Sequence, residues 1–400
     1  MTTHPAPDGR LLVVHVIPTP LGRGAQRAAR ILVDRLDDPG GTRHLLVGLF
    51  DGAPEVRVDL TLAHPGADRP AEGFDLRLAR RLRSTLRRLR PAVVVAHGGD
   101  PMKYVSAALV GSARPVVYCV IGTYAGPPSA SHVALWQVIA ARADRVVAVG
   151  DEVLEECVRR FHVDPRRAVM IPNGRDPARF YPRPSGAGRG SDPMVLFVGA
   201  LTDQKRPDLF VEVVRDLRDQ GRSFRAALVG GGPLAAPLAN AASGSGVELL
   251  GPRDDVAELL RGADVLVFPS RPTGEGMPGV LIEAGLSGIP VVATRTPGVA
   301  TVVADGRTGI IVDGTVGPMA AAVGALLDDP GRRAAMGAAA RTRCTSEFTL
   351  EVMADRWRGV LAPLLDAQVR TGRAAPLPDG MRSASALRRR IRALRGSSHS

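Results

Sequence analysis

Eleven short runs of Val, Ile, Leu and Ala, none of them alternating with polar residues, constrain the fold of this chain more than any other feature. They are Leu11–Ile17, 45–49, 93–96, Val116–Val120, 146–149, Met194–Val198, 226–229, 247–250, Val265–Phe268, 291–293 and 310–312. A strand that is apolar on both sides is buried on both faces, as in a parallel sheet covered by helices. Stretches with helical spacing separate many of these runs, at 26–36, Leu76–Leu89, 207–220, 256–260 and Gly279–Leu286. Strand and helix in alternation define doubly wound α/β units. The series starts twice, at Leu11 and at Met194, and the stretch between, 173–192, is rich in Pro, Gly and Arg, as a linker is. At 400 residues, 45% hydrophobic and 23% charged, the chain has material for two cores. The expected division is 1–176 for the first domain, 177–192 for the linker, 193–345 for the second domain, 346–366 for a helix carrying Phe348 and Trp357, and 367–400 for a basic, flexible tail. Two such domains face each other across a cleft at the carboxyl ends of their strands, where ligands bind.

Charge narrows the partners. Lys and Arg number 52 against 40 Asp and Glu, a formal +12. The abundance of Ala, Gly, Pro and Arg is a coding bias that accounts for the overall charge as well as any ligand does, so the local clusters carry more information. Between Leu76 and Arg90 stand Arg77, Arg80, Arg81, Arg83, Arg87, Arg88 and Arg90 without one acid. The tail at 385–395 sets Leu387, Ile391 and Leu394 on one helical face amid arginines. Basic amphipathic helices lie on anionic membranes. With aromatic residues at 4%, a stacking platform for nucleic acid is not expected. Cys119, Cys157 and Cys344 are far apart and form no C-x-x-C pair, which argues against a disulfide framework or zinc site and for a reducing compartment. The first apolar run ends at Pro18, too short for a signal core or a membrane span. The expectation is a cytoplasmic protein, peripheral on the inner face of a membrane.

The chemistry concentrates at 269–285. The strand Val265–Phe268 ends at Pro269, a polar loop follows, and a helix begins near Met277 or Pro278, where proline fits the first turn. Gly274, Gly276 and Gly279 let backbone amides approach a ligand closely. The free N–H groups and dipole of a helix start bind phosphate. Glu275 and Glu283 flank that start, and carboxylates accept hydrogen bonds from sugar or ribose hydroxyls. The anion site and the acids together suit a ligand with both phosphates and hydroxyls.

Glu275 and Glu283, with seven residues between them, are followed by Ala284-Gly285-Leu286-Ser287-Gly288-Ile289-Pro290, and the whole resembles the signature of the retaining GT-B glycosyltransferases of family 4. The resemblance spans roughly 11–365 and implies a GT-B fold of two Rossmann-like domains, with the C-terminal helix crossing back to the first. It implies transfer of a sugar from a nucleotide-diphosphate donor to an acceptor hydroxyl with retention. Glu275 would contact the donor sugar and Glu283 the ribose, while the amides of Gly276 and Met277 hold the diphosphate. The stretch 197–208 is similar to the one that supplies a Lys and an Arg to the diphosphate; Lys205 matches the Lys, and Ala200 occupies the place of the Arg, for which Arg206 is a substitute or a surface residue. Gly24, in Gly22-Arg23-Gly24-Ala25-Gln26-Arg27, matches the loop over the donor, although Arg23 and Gln26 depart from the pattern. His97 fits the family's His beside the donor sugar and attacking hydroxyl, while a second His after the next strand is missing at 120–123. The glycine turn at 229–234 and the segment Pro172-Asn173-Gly174-Arg175-Asp176 also match, the latter read as structural. No Asp-x-Asp occurs, so neither a metal nor another cofactor is expected and chelators should leave activity intact. If the basic helices lie on a membrane, the expected acceptor is a lipid-linked carrier or envelope glycan precursor. The rival readings are a transferase of small natural products and a catalytically weak scaffold.

Overall fold

The computed structural model describes residues 10–22, 24–38, 41–63, 74–122, 129–184, 192–272 and 276–372. Glu275 and the basic segment 385–395 lie outside the described residues.

The first sheet is built from β1 (Leu11–Ile17), β2 (Thr42–Gly48), β3 (Leu60–Thr61), β4 (Val93–His97), β5 (Val116–Val120), β6 (Arg145–Ala148) and β7 (Ala168–Met170), in the order β3-β2-β1-β4-β5-β6-β7. Neighbouring strands of this sheet pair in parallel. Its helices are α1 (Gly24–Leu36), α2 (Leu76–Leu89), α3 (Gly99–Ala108), α4 (Ala130–Ala141) and α5 (Asp151–Phe161). The second sheet, also parallel, joins β8 (Met194–Val198), β9 (Arg225–Val229), β10 (Val247–Gly251), β11 (Val265–Phe268), β12 (Val291–Thr294) and β13 (Gly309–Val312) in the order β10-β9-β8-β11-β12-β13. Around it lie α6 (Pro207–Asp219), α7 (Ala235–Ala242), α8 (Val256–Gly262), α9 (Gly279–Leu286), α10 (Val299–Val302), α11 (Val316–Asp328) and α12 (Pro330–Glu347), and α13 (Leu350–Arg370) follows.

In both sheets the chain builds outward in one direction and then reverses. The reversal falls between β1 and β4 in the first and between β8 and β11 in the second. Such switch points open a crevice at the strands' carboxyl ends. Gly24, Lys205 and Gly276 follow β1, β8 and β11, and His97 ends β4, so topology alone gathers these four positions at the two crevices.

The strands hold because they are dry on both faces: Val93, Val94, Val95 and Ala96 of β4 are all 0% exposed. Each fully buried Val contributes about 1.5–3 kcal/mol, a large fraction of a net stability of about 5–15 kcal/mol. Helix α2 starts at Asp75, whose carboxylate accepts from the amides of Arg77 and Leu78, and buries Leu78, Leu82, Leu86 and Leu89 in one stripe. Its arginines occupy the remaining faces.

The C-terminal region departs from the single helix expected over 346–366. Helix α12 runs to Glu347, Phe348 closes it, and the Thr349 hydroxyl caps α13 by accepting from Val352 N–H. The break occurs where the interdomain segment crosses: Arg175 N–H donates to Phe348 O and Leu350 N–H to Arg175 O. Helix α13 then continues past Pro363 to Arg370, beyond the expected start of the tail at 367. It returns to the first domain, where Glu351 lies 3.3 Å from Arg35 and Arg358 donates to Arg35 O. Among the described residues no helix is long and apolar enough to cross a membrane.

Candidate active site

A cavity of about 320 Å³ lies between the domains. Gly24, His97 and Ile121 line it from the first domain, Lys205 and Gly276–Gly279 from the second, and Arg175 and Trp357 from the crossing segments. Pro278 is the N-cap of α9 and Gly279 its first residue, one position later than proline in the first turn. Gly276 and Met277 precede this helix start and are buried. The amide-rich end of α9 thus faces the cavity. Gly24 opens α1 with empty space where a Cβ would stand, leaving room for a ligand against the helix. Cys119 also lines the cavity, but burial pushes its thiol up to about 12, so it is no nucleophile at neutral pH.

Gly276 is where the domains meet backbone to backbone. A Cβ there would overlap Ile121 O and crowd Gly122 Cα, and on the other side Gly298, at φ 76°, packs against Gly276 O. Around this contact Asp151 accepts from the Thr301 hydroxyl at 3.1 Å and Glu152 accepts from Gly298 N–H at 3.1 Å. Because the obstruction is backbone, a side chain at 276 holds the domains apart. Gly276→Ala should therefore lower transfer about a hundredfold, since a 1 Å misplacement costs that much. Paired kinetics and thermal unfolding check this: activity falls while the unfolding midpoint stays within a few degrees.

Lys205 is half-buried, with Nζ 4.9 Å from the centre of the Phe268 ring. Ala200 is exposed and does not line the cavity. Arg206 does not replace the absent cation. It sits at φ 48° as the N-cap of α6 and donates to Gly314 O at 2.6 Å, away from the cavity wall. Glu283 lies one turn into α9 and is ion-paired with Arg175, Nε to Oε1 at 2.6 Å, each side chain 17% exposed. Arg175 was read from sequence as part of a structural segment; a cation in the crossing segment, two residues from Asn173 of the cavity wall, was the signal available.

His97 is 4% exposed at the end of β4 and heads a chain of three histidines. Its Nε2 lies 2.9 Å from His15 Nδ1, His15 Nε2 lies 2.9 Å from His44 Nδ1, and His44 Nε2 lies 2.9 Å from Thr42 Oγ1. The rings run end to end and do not converge, and among the described residues no group of three His, Cys, Asp or Glu is disposed to hold a metal. Burial lowers His97 to about 4 and His44 to about 3, and burial followed by its two histidine neighbours lowers His15 well below 6.5. All three are neutral at pH 7. Three neutral rings in series admit two consistent proton arrangements. With every proton on Nε2 the chain donates toward Thr42 and His97 Nδ1 is an acceptor; reversed, His97 Nδ1 is a donor. Sequence reasoning found His97 and missed its two supports.

Residues 22–179 match the family model "Glycosyltransferase Family 4" and residues 192–329 match "Glycosyl transferases group 1". The two matches fall on the two domains, and the chain belongs to the group 1, family 4 glycosyltransferases. Among its relatives, it is 35% identical over 248 residues to the D-inositol 3-phosphate glycosyltransferase of Rhodococcus opacus, covering 57% of this chain and 55% of that one. It is 38% identical over 190 residues to the GDP-mannose-dependent alpha-(1-6)-phosphatidylinositol monomannoside mannosyltransferase of Mycolicibacterium smegmatis, covering 43% and 50%. The matches thus span about half the length of these relatives. Anabaena HepE in complex with UDP superposes with a TM-score of 0.74 at 19% identity over 88% of this chain and all of that one. WaaG, a glycosyltransferase involved in lipopolysaccharide biosynthesis, superposes with a TM-score of 0.65 at 18% identity over 87% and 99%. These likenesses identify the fold as GT-B.

Proposed function

We propose that the cleft binds a nucleotide-diphosphate sugar and transfers its sugar to an acceptor hydroxyl with retention of configuration. One observation carries the reading: the amide-rich start of α9, Lys205 and His97 face a single cavity at the two switch points. The amides of Gly276 and Met277 take the diphosphate, Glu283 the ribose and Glu275 the donor sugar, and the donor passes over Gly24. Lys205 neutralises the leaving diphosphate. His97 Nδ1 is the group beside the donor sugar and the acceptor hydroxyl. Among the described residues that line the cavity there is no carboxylate to act as a nucleophile. Attack on the face that the diphosphate leaves is then the consistent route: the acceptor oxygen bonds to the anomeric carbon as its bond to phosphate breaks, and the acceptor's proton passes to the leaving phosphate oxygen. Release of nucleoside diphosphate from UDP- and GDP-sugars tests this reading, and inertness toward all of them would favour the scaffold alternative.

A lipid-borne acceptor at the inner face of a membrane is supported by the surface of α3 and α4. A groove of about 910 Å³ there is lined by Phe74, Val110, Leu135 and Val138, and these side chains are 45%, 66%, 51% and 72% exposed. Lys103 and Arg142 also line the groove, and no acid is among its described lining residues. An apolar groove with these cations in its wall suits an anionic bilayer. Val110→Asp with Val138→Asp should weaken cosedimentation with phosphatidylglycerol vesicles at least tenfold, with little binding to phosphatidylcholine. Unchanged cosedimentation would favour the second reading, a soluble polyol phosphate as acceptor, which the name of the Rhodococcus relative supports.

A further inference from the structure

We infer that Arg175, from the segment joining the domains, supplies the diphosphate cation that Ala200 does not. The inference rests on the donor-site reading above. Three observations place it there. Arg175 lines the cavity together with Lys205 and the start of α9. Its Nη2 sits against Gly279, the first residue of α9, so closely that a Cβ at 279 would collide with it. Two of its other donors are engaged: Nε donates to Glu283 Oε1 at 2.6 Å and Nη1 to Gly174 O at 3.0 Å.

Glu283 pairs with the Nε edge of the guanidinium, and Nη2 faces the helix end. The N-terminus of a helix carries the equivalent of about half a positive charge, and a cation beside it is repelled. In this cavity the helix end, Lys205 and Arg175 stand together as positive groups, a setting that favours an anion between them. Glu283 Oε1 and Gly174 O hold the side chain of Arg175. The backbone on either side is fixed, because Arg175 N–H and O both bond across to the α12–α13 junction at Phe348 and Leu350. Binding a diphosphate therefore requires no movement of the main chain. The ribose hydroxyls donate to Glu283, the carboxylate keeps Nε, and Nη2 turns its N–H toward the phosphate oxygens that the α9 amides hold. Arg175 acts as a bridge that ties the ribose anchor to the phosphate anchor, so the two halves of the nucleotide are recognised as a unit.

Calorimetric titration with UDP and GDP, and with uridine and guanosine as controls, tests the assignment. Charge-assisted hydrogen bonds lost from such a site correspond to a ten- to hundredfold loss of affinity. Arg175→Gln, which keeps an amide donor for Glu283, should lose that much affinity for the diphosphate while its affinity for the matching nucleoside stays within twofold. Arg175→Lys keeps the charge and should remain within about fivefold of the wild type for the diphosphate; this variant carries the test if Arg175→Gln fails to fold. Undiminished diphosphate affinity in Arg175→Gln overturns the inference. So does an equal loss for nucleoside and diphosphate, because the pair would then only orient Glu283. A wild-type protein that binds neither UDP nor GDP defeats the donor-site reading itself, a result distinct from wild-type binding that Arg175→Gln leaves intact.

Discussion

Lys205→Met lowers kcat/KM for sugar transfer by about 10²–10³ while leaving the fold intact. The departing diphosphate gains charge in the transition state, and a fixed cation in a desolvated cleft stabilises that charge far more than water does. Removing one preorganised donor of this kind costs about 10²–10³ in other enzymes. Lys205 has little backing from its own loop, because Ala200 carries no charge and Arg206 is turned to Gly314 O. Methionine keeps most of the length of the side chain and an apolar stem beside Phe268, over which Nζ now lies at 4.9 Å. The loss should appear mainly in kcat, with the thermal midpoint unchanged within a few degrees. A variant with undiminished kcat would move the stabilisation of the leaving group elsewhere.

The second large effect is on stability in acid. The folded values for His97, about 4, and His44, about 3, lie below the ordinary 6.5. Above pH 6.5 both states leave these rings neutral and the chain has its full stability. As pH falls below 6.5 the unfolded chain takes up protons that the folded chain refuses, so stability is lost with acid. Each unit of difference is about 1.4 kcal/mol, so His97 and His44 together remove on the order of 4 kcal/mol by pH 5, and His15 acts in the same direction. That approaches the whole net stability of many domains. The unfolding midpoint, measured at pH 7.5, 6 and 5, should fall steeply over the lower interval. His44→Leu should flatten the slope below pH 6.5, since one of the refused protons is gone. A midpoint independent of pH down to 5 would contradict the neutral histidine chain.

What the sequence disclosed follows from what local pattern encodes. The bounds of β1, β5, β8, β11, α2 and α9 coincide with their apolar runs or helical stripes, because burial of those residues is decided by their own segment. Strand β3, with two residues, and β7, with three half-buried ones, have no such run to show. The helix start that lines the cavity was legible because it lies in one contiguous motif, 269–285. The rest depends on contacts between distant segments. His15 stands inside an apolar run, and only the adjacency of β2, β1 and β4 joins it to His44 and His97, 29 and 82 residues away. Arg175 and Glu283 are 108 residues apart, and the contact of Gly276 with Ile121 exists only once the domains close.

The most direct test of the central claim is transfer of a labelled hexose from UDP- or GDP-sugar to an inositol-phosphate headgroup, free or in anionic vesicles, with the product's anomeric configuration read by NMR. A glycoside with the donor's configuration is expected, formed by the wild-type protein and lost in Lys205→Met. An inverted product, or transfer by Lys205→Met at the wild-type rate, would contradict it.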